Sequence, residues 1–205
     1  MNVLARLEPE TTVFLMCDIQ TRFRNSVHEF DAMVSTAAKM LAFAPILEIP
    51  VIATEQNPRA LGPTVPELDL SPLGDLHLGT FPKTLFSMAI PPVLDALHAR
   101  NTKAVVLFGI EAHVCVAQTA LDLLSEGFAV HVLADGVSSA NAQETPVALA
   151  RLCQAGATVT TSEAAVFELM ADSARPHFKA FSAAIKATQP STRTALNALM
   201  PRSAL

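Results

Sequence analysis

The stretch KAVVLFGIEAHVCVAQTALDLLSEGFAVHVLA (103–134) decides the architecture. Residues 103–109 are a continuous apolar run of strand length, which reads as a strand covered on both faces rather than one that alternates between core and water. Residues 114–126 read as a helix, and Gly127 follows where a helix C-cap takes positive φ. A second apolar run, 128–134, comes next. Strand, helix and strand in this order make a βαβ unit, whose strands are parallel and whose helix packs across the sheet.

The same alternation extends both ways. Strands are expected at 12–17, 50–54 and 157–160, with Pro50 at a first strand position where no ladder N–H is missed. Helices are expected at 31–48, 90–100, 144–155, 163–171 and 176–188. Pro91 and Pro92 sit in the first turn of one, Gly156 closes another, and Thr160 with Glu163 has capping-box spacing. Residues 55–82 hold five prolines and three glycines and read as one long irregular loop of the kind that carries function. The reading is a single domain over 1–190 with a polar, loosely held tail at 191–205.

Composition narrows the function. The 205 residues are 51% hydrophobic and 16% charged, enough apolar content for a sizeable core. Fourteen basic against 19 acidic side chains give a net charge of −5, which argues against a nucleic-acid or anionic-membrane partner. The apolar runs 104–110 and 128–134 are far shorter than the roughly 20 residues of a membrane-spanning helix. Arg6, Glu8 and Glu10 interrupt the place of a signal-peptide core. The ending Ser203-Ala204-Leu205 lacks the central lysine of a peroxisomal address, and three cysteines fit a reducing compartment, so a cytoplasmic protein is expected.

In an open α/β sheet the ligand site lies beyond the carboxyl ends of the strands. The first strand ends at Cys17-Asp18, the irregular loop ends at Phe81-Pro82-Lys83, and Cys115 lies near the start of the helix after 103–109. A helix N-terminus favours a thiolate, a carboxylate can take the thiol proton, and an ammonium balances the charge. Spacing alone leaves the competing reading open, in which Asp18 is a cap, Lys83 a solvated charge and Cys115 a small core residue.

Motifs along the chain carry a family resemblance. CDIQ with Arg22-Phe23, TEQNPRALGPTVPEL (54–68), Phe81-Pro82-Lys83 with Phe86-Ser87-Met88, GIEAHVCVAQTALDLL (109–124), ADGVSS (134–139), ARLCQAGATVTTSE (150–163) and Phe178-Lys179 together resemble the isochorismatase-like cysteine hydrolases, within them the eukaryotic isochorismatase domain-containing proteins. The resemblance implies a doubly wound, mostly parallel six-stranded sheet with helices on both faces, a Rossmann-like three-layer α/β fold. It implies Asp18 as base, Lys83 as its cationic partner and Cys115 as nucleophile. It further implies a cis peptide between Ile110 and Glu111, an oxyanion hole from the N–H groups of Glu111 and Cys115, and assembly into a homo-oligomer. The implied substrate is a small molecule with an amide-like C–N bond. An idle site on a binding or scaffold protein is the alternative.

One departure is informative. Nicotinamidases of the superfamily hold a metal through an Asp-x-His pair after the second strand, where this chain has Thr54-Glu55-Gln56-Asn57-Pro58. Asp75-Leu76-His77 has that spacing but lies in the loop, so no metal or cofactor is expected. Gln20, Phe23, Gln56, Phe86 and His113 are candidate pocket residues, with ordinary core packing the competing reading for the two phenylalanines. Cys17 reads as core, because strand alternation would point it away from Asp18, and Cys153 reads as packing or surface. Asp135, Ser138 and Ser139 read as turn and capping residues.

Overall fold

A computed structural model describes residues 6–200. The readings of the first five residues and of Ser203-Ala204-Leu205 lie outside the described residues. Six parallel strands form one sheet: β1 (Thr12–Cys17), β2 (Val51–Gln56), β3 (His77–Lys83), β4 (Ala104–Ile110), β5 (Ala129–Ser138) and β6 (Thr158–Thr160). Their spatial order is β3-β2-β1-β4-β5-β6. Every residue of β1 and β4 is buried, which explains why these strands read as unbroken apolar runs.

Helices cover both faces. Phe14, Met16, Val106 and Phe108 point to a core shared with α1 (Phe30–Leu47), α6 (Ser162–Met170) and α7 (Phe178–Leu199). Val13, Leu15, Cys17, Val105 and Leu107 point to the other core, with α3 (Pro91–Ala99), α4 (Ala117–Ser125) and α5 (Glu144–Ala155). The alternation along β1 thus divides its side chains between two cores. By length and a mean hydropathy of 1.3, α1 could cross a membrane, but 67% of it is buried inside the fold as the central helix of the first core. Burying each of its large side chains stabilises by about 1.5–3 kcal/mol.

Three elements differ from the sequence reading. The irregular stretch 55–82 contains a short helix, α2 (Pro58–Leu61), and the strand β3. β3 is an edge strand paired only with β2, so Pro82 leaves no ladder bond unmade on its open side, and its half-exposed side chains give no apolar run. The capping residue of α6 is Thr161, whose hydroxyl accepts from Ala164 N, while Thr160 ends β6. The polar tail from 191 does not start as a loose segment, because α7 runs through Pro190 to Leu199. Packing against α1 overrides the proline. Thr192 and Ala195 are buried, and Lys39 of α1 donates to Thr192 Oγ1 at 3.0 Å.

Candidate active site

β1 and β4 are neighbours at the centre of the sheet, and the chain proceeds from them toward opposite edges. This is the topological switch point, where the loops leaving the strands part and open a crevice. Both strands end in a residue with left-handed backbone, Asp18 at φ 54° and Glu111 at φ 55°. Such a conformation is uncommon outside glycine and collects at functional sites. Between them Cys17 pairs with Gly109. A Cβ on Gly109 would stand 2.1 Å from the Cys17 carbonyl oxygen, so only glycine permits this close approach of the central strands.

Asp18 is 1% exposed and its carboxylate is fully engaged. Oδ1 accepts from Thr54 Oγ1 at 2.8 Å, and Oδ2 accepts from Lys83 Nζ at 2.6 Å. Lys83 arrives from the end of the edge strand β3. Its ammonium also donates toward Gln56 Oε1 at 2.8 Å, Phe86 O at 2.8 Å and Leu85 O at 3.2 Å. A buried ion pair persists only when its remaining hydrogen-bonding capacity is met, and here both partners are surrounded by acceptors or donors. The pair is sealed inside the fold, the Lys83 and Asp18 side chains being 0% and 1% exposed.

Cys115 lies in a π-helical turn, residues Ala112–Val116, that runs directly into α4. The Glu111 carbonyl accepts from Val114 N at 2.9 Å and Val116 N at 3.2 Å. Single π turns inside helices are rare and frequent at functional sites. Thr119 fixes the turn from below, its hydroxyl donating to Cys115 O at 2.6 Å and accepting from Met88 N at 2.8 Å. Cys115 lies in the same buried cluster as Cys17, and the residue is 6% exposed. The expected cis bond is corrected: among the described residues there is no cis peptide, and the bond between Ile110 and Glu111 is trans. The chain turns instead through the left-handed Glu111, whose ψ of 68° starts the π turn without a cis bond.

Cys17 is core, as its place in β1 predicts, yet it also touches the site. Its thiol donates to Asp18 Oδ2 at 3.5 Å, and it shares a buried cluster with Cys115. Burial first, then the Cys115 sulfur and the Asp18 charge, push the Cys17 thiol well above the ordinary cysteine range, with Lys83 opposing. Strand alternation misses this contact because it stops at Cys17. The left-handed turn of Asp18 swings the next side chain out of register.

The other candidates divide. Gln56 grips Lys83, and Gln20 is a strut whose amide donates to Gln56 O at 3.0 Å and Gly62 O at 2.6 Å while accepting from Gln56 N at 2.7 Å. Phe23 packs against the α1 core, away from the cluster that holds Cys115. Phe86 is 51% exposed beside the lysine's backbone partners. His113 pairs with Glu111 Oε2 at 3.4 Å and Ser139 Oγ at 3.1 Å, on the loops leaving β4 and β5. Asp135 and Ser138 lie inside β5 and not in a turn, because the strand runs on to Ser138; Asp135 receives Ser162 N and Oγ from the start of α6 at 2.7 and 2.5 Å, and Ser138 Oγ donates to His28 O. Thr54 and Thr119 escape a sequence reading, since a single hydroxyl carries no pattern. Among the described residues no group of three or more His, Cys, Asp or Glu could hold a metal ion, and His77 Nε2 faces Thr80 Oγ1 at 3.0 Å.

Comparison with known proteins identifies the family. An isochorismatase domain matches residues 12–164. Isochorismatase domain-containing protein 1 of Salmo salar is 45% identical over 191 residues, 93% of this chain and 66% of that relative, so the chain spans slightly less than two thirds of its length. Isochorismatase domain-containing protein 2 of Homo sapiens is 43% identical over 188 residues, 91% of this chain and 89% of the relative. Among solved structures, the MAR1 ribonuclease from Caenorhabditis elegans superposes with a TM-score of 0.81 at 40% identity, covering 89% of this chain and 93% of that one. The domain match over most of the chain, and relatives of this identity along nearly all of it, establish that the chain belongs to the isochorismatase family.

Proposed function

We propose that the chain is a cysteine hydrolase that cleaves a C–N bond in a small amide-like substrate through a thioester. The observation that carries this reading is the buried Asp18–Lys83 pair, 2.6 Å apart at the switch point where the π turn bearing Cys115 begins. Asp18 takes the proton from Cys115. Lys83 keeps the carboxylate oriented and limits the charge build-up. The thiolate attacks the substrate carbonyl carbon, and the electron pair of the C=O bond moves onto oxygen. The N–H groups of Glu111 and Cys115 receive that oxyanion at the positive end of α4, an effect worth about 3–4 kcal/mol per donor in well-characterised hydrolases. The oxyanion collapses, the C–N bond breaks, and Asp18 returns its proton to the leaving nitrogen. Water then attacks the thioester with Asp18 again as base, releasing an acid and restoring the thiol.

A cysteine favours this acyl chemistry over cleavage of a vinyl ether, which needs no sulfur nucleophile. Three free cysteines among the described residues suit cytoplasmic residence, and the exposed Leu85 and Phe86 suit burial in a homo-oligomer. The ribonuclease activity named for the nematode structure is the competing reading, and the excess of 19 acidic over 14 basic residues weighs against it. An idle scaffold is the other.

The test is a hydrolysis screen of small amides, imides and carbamates, with Cys115→Ala as control. Turnover that falls by at least about 10³-fold in Cys115→Ala, with the circular dichroism spectrum unchanged, is the expected result. A fully active Cys115→Ala protein would overturn the mechanism. Iodoacetamide labelling no faster at Cys115 than at the exposed Cys153 would favour the scaffold, and strongly salt-dependent RNA binding would favour the nuclease.

A further inference from the structure

Cys17 adjoins the proposed base and shares a buried cluster with the proposed nucleophile. Cys17 Sγ is 3.5 Å from Asp18 Oδ2, the same oxygen that Lys83 holds at 2.6 Å. Among the described residues the thiol is hydrogen-bonded to Asp18 alone, while Cys115, whose sulfur raises the Cys17 thiol, lies in the same buried cluster. A thiol has a single proton, so it cannot donate to both neighbours at once. Which neighbour it serves depends on where the negative charge sits.

We propose that Cys17 is a positioning residue whose S–H follows the negative charge from Asp18 to Cys115. The inference rests on the reading of Asp18 as base and Cys115 as nucleophile. In the resting site Asp18 is the anion and takes the Cys17 hydrogen bond. When the Cys115 proton has moved to Asp18, the carboxyl is neutral and a poorer acceptor. The Cys17 S–H then turns to the new anion, the Cys115 thiolate. No proton leaves Cys17 in this step: one proton moves from Cys115 sulfur to the Asp18 carboxylate, and one hydrogen bond changes acceptor. Burial supports the assignment, because a thiol in this place resists ionisation and stays a donor. The charged and titratable groups facing Cys17 are Asp18 beside it, Lys83 from β3 and Cys115 from the π turn.

Two neighbouring features fit. The Gly109 backbone packs close against the Cys17 main chain and Cβ, which fixes the position from which the thiol extends. Thr54 occupies the other carboxylate oxygen, Oδ1, leaving Oδ2 as the oxygen shared by Lys83 and Cys17.

The chain has no Tyr and no Trp, so thiolate absorbance near 240 nm can be followed without tyrosinate interference. In a Cys153→Ser background only Cys17 and Cys115 titrate. The test compares the pH dependence of Cys115 alkylation by iodoacetamide, and of the hydrolysis rate, in the parent, Cys17→Ser and Cys17→Ala proteins. Cys17→Ala should raise the apparent pKa of Cys115 by about one unit and slow hydrolysis about tenfold below it, in line with loss of one hydrogen bond to a charged group. Cys17→Ser, which keeps a donor, should stay within about threefold of the parent. Superimposable pH profiles in all three proteins would overturn the proposal. A reciprocal measurement does not depend on Cys17→Ala folding: in Cys115→Ala, Cys17 should ionise at lower pH than in the parent, since the adjacent anion is gone. An unshifted Cys17 titration there would overturn it as well. Failure of the underlying reading looks different, because Cys115 in the parent would then be as unreactive as Cys153 in the unsubstituted chain.

Discussion

Two lysines are buried in this molecule, and they are held in opposite ways. Lys83 touches a carboxylate directly, at 2.6 Å, and its other partners are an amide oxygen and two backbone carbonyls. Lys39 touches hydroxyls, Ser162 Oγ at 3.2 Å and Thr192 Oγ1 at 3.0 Å, with Glu163 at 3.9 Å. The nearest fully buried carboxylate, Asp135, is one hydroxyl away, accepting from Ser162 Oγ. Burial pushes the Lys39 ammonium below the ordinary lysine value, and Asp135 and Glu163 only partly oppose it. The contrast separates two uses of a buried cation. One is pressed against a charge at the carboxyl end of the sheet. The other pins α1 to α6 and α7, where neutral oxygens suffice.

Exchanging each lysine for methionine breaks the comparison most directly. Lys83→Met should lower turnover by about 10³-fold, within the usual range for a group that assists proton transfer, and destabilise the fold by about 3–5 kcal/mol because Asp18 is left buried and unpaired. Lys39→Met should leave turnover within about threefold of the parent. Steady-state rates and urea midpoints, the latter followed by far-ultraviolet circular dichroism, read both. A Lys39→Met protein as inactive as Lys83→Met would erase the distinction.

Smaller effects sharpen it. Thr192→Val removes one acceptor from Lys39 and should cost about 1–3 kcal/mol, seen as a lower urea midpoint without change in the slope or in catalysis. The pH dependence has a definite sign. In the window between the lowered folded value of Lys39 and its ordinary 10.5, the unfolded chain binds the proton that the folded chain has released. Stability from this residue therefore increases as pH rises toward 10.5 and is lost as pH falls through the folded value. Lys39→Met should flatten the slope of stability against pH in that window. An identical slope in both proteins would contradict the assignment.

The same contrast between direct and indirect contacts explains what could be read from residues alone. β1 and β4 are legible because burial on both faces leaves an unbroken apolar run. β3 is hidden because an edge strand needs no such run and can include Pro82. The end of α7 is hidden because Pro190 and Ser191 look like a stop, while Lys39 and the α1 core hold the helix beyond them. The places of Asp18, Lys83 and Cys115 at strand and helix ends are legible because the elements beside them are, and the roles proposed for them come from where an open α/β sheet puts its ligands and from the family motifs. The cis bond expected beside Glu111 comes from the family and not from these residues, and a left-handed trans turn occupies the place. Cys17 and its thiol contact are hidden because alternation ends where Asp18 turns left-handed.

Lys83 donates two of its hydrogen bonds to the main-chain carbonyls of Leu85 and Phe86, residues that are 61% and 51% exposed. Carbonyl oxygens are supplied by every amino acid. The side chains at 85 and 86 can therefore vary between relatives, altering what the rim of the crevice offers to a ligand or a neighbouring subunit, while both acceptors for the lysine persist. In the proposed mechanism, reaction chemistry and ligand choice rest on different parts of the segment between β3 and α3, one on its backbone and the other on its side chains, and they can evolve separately.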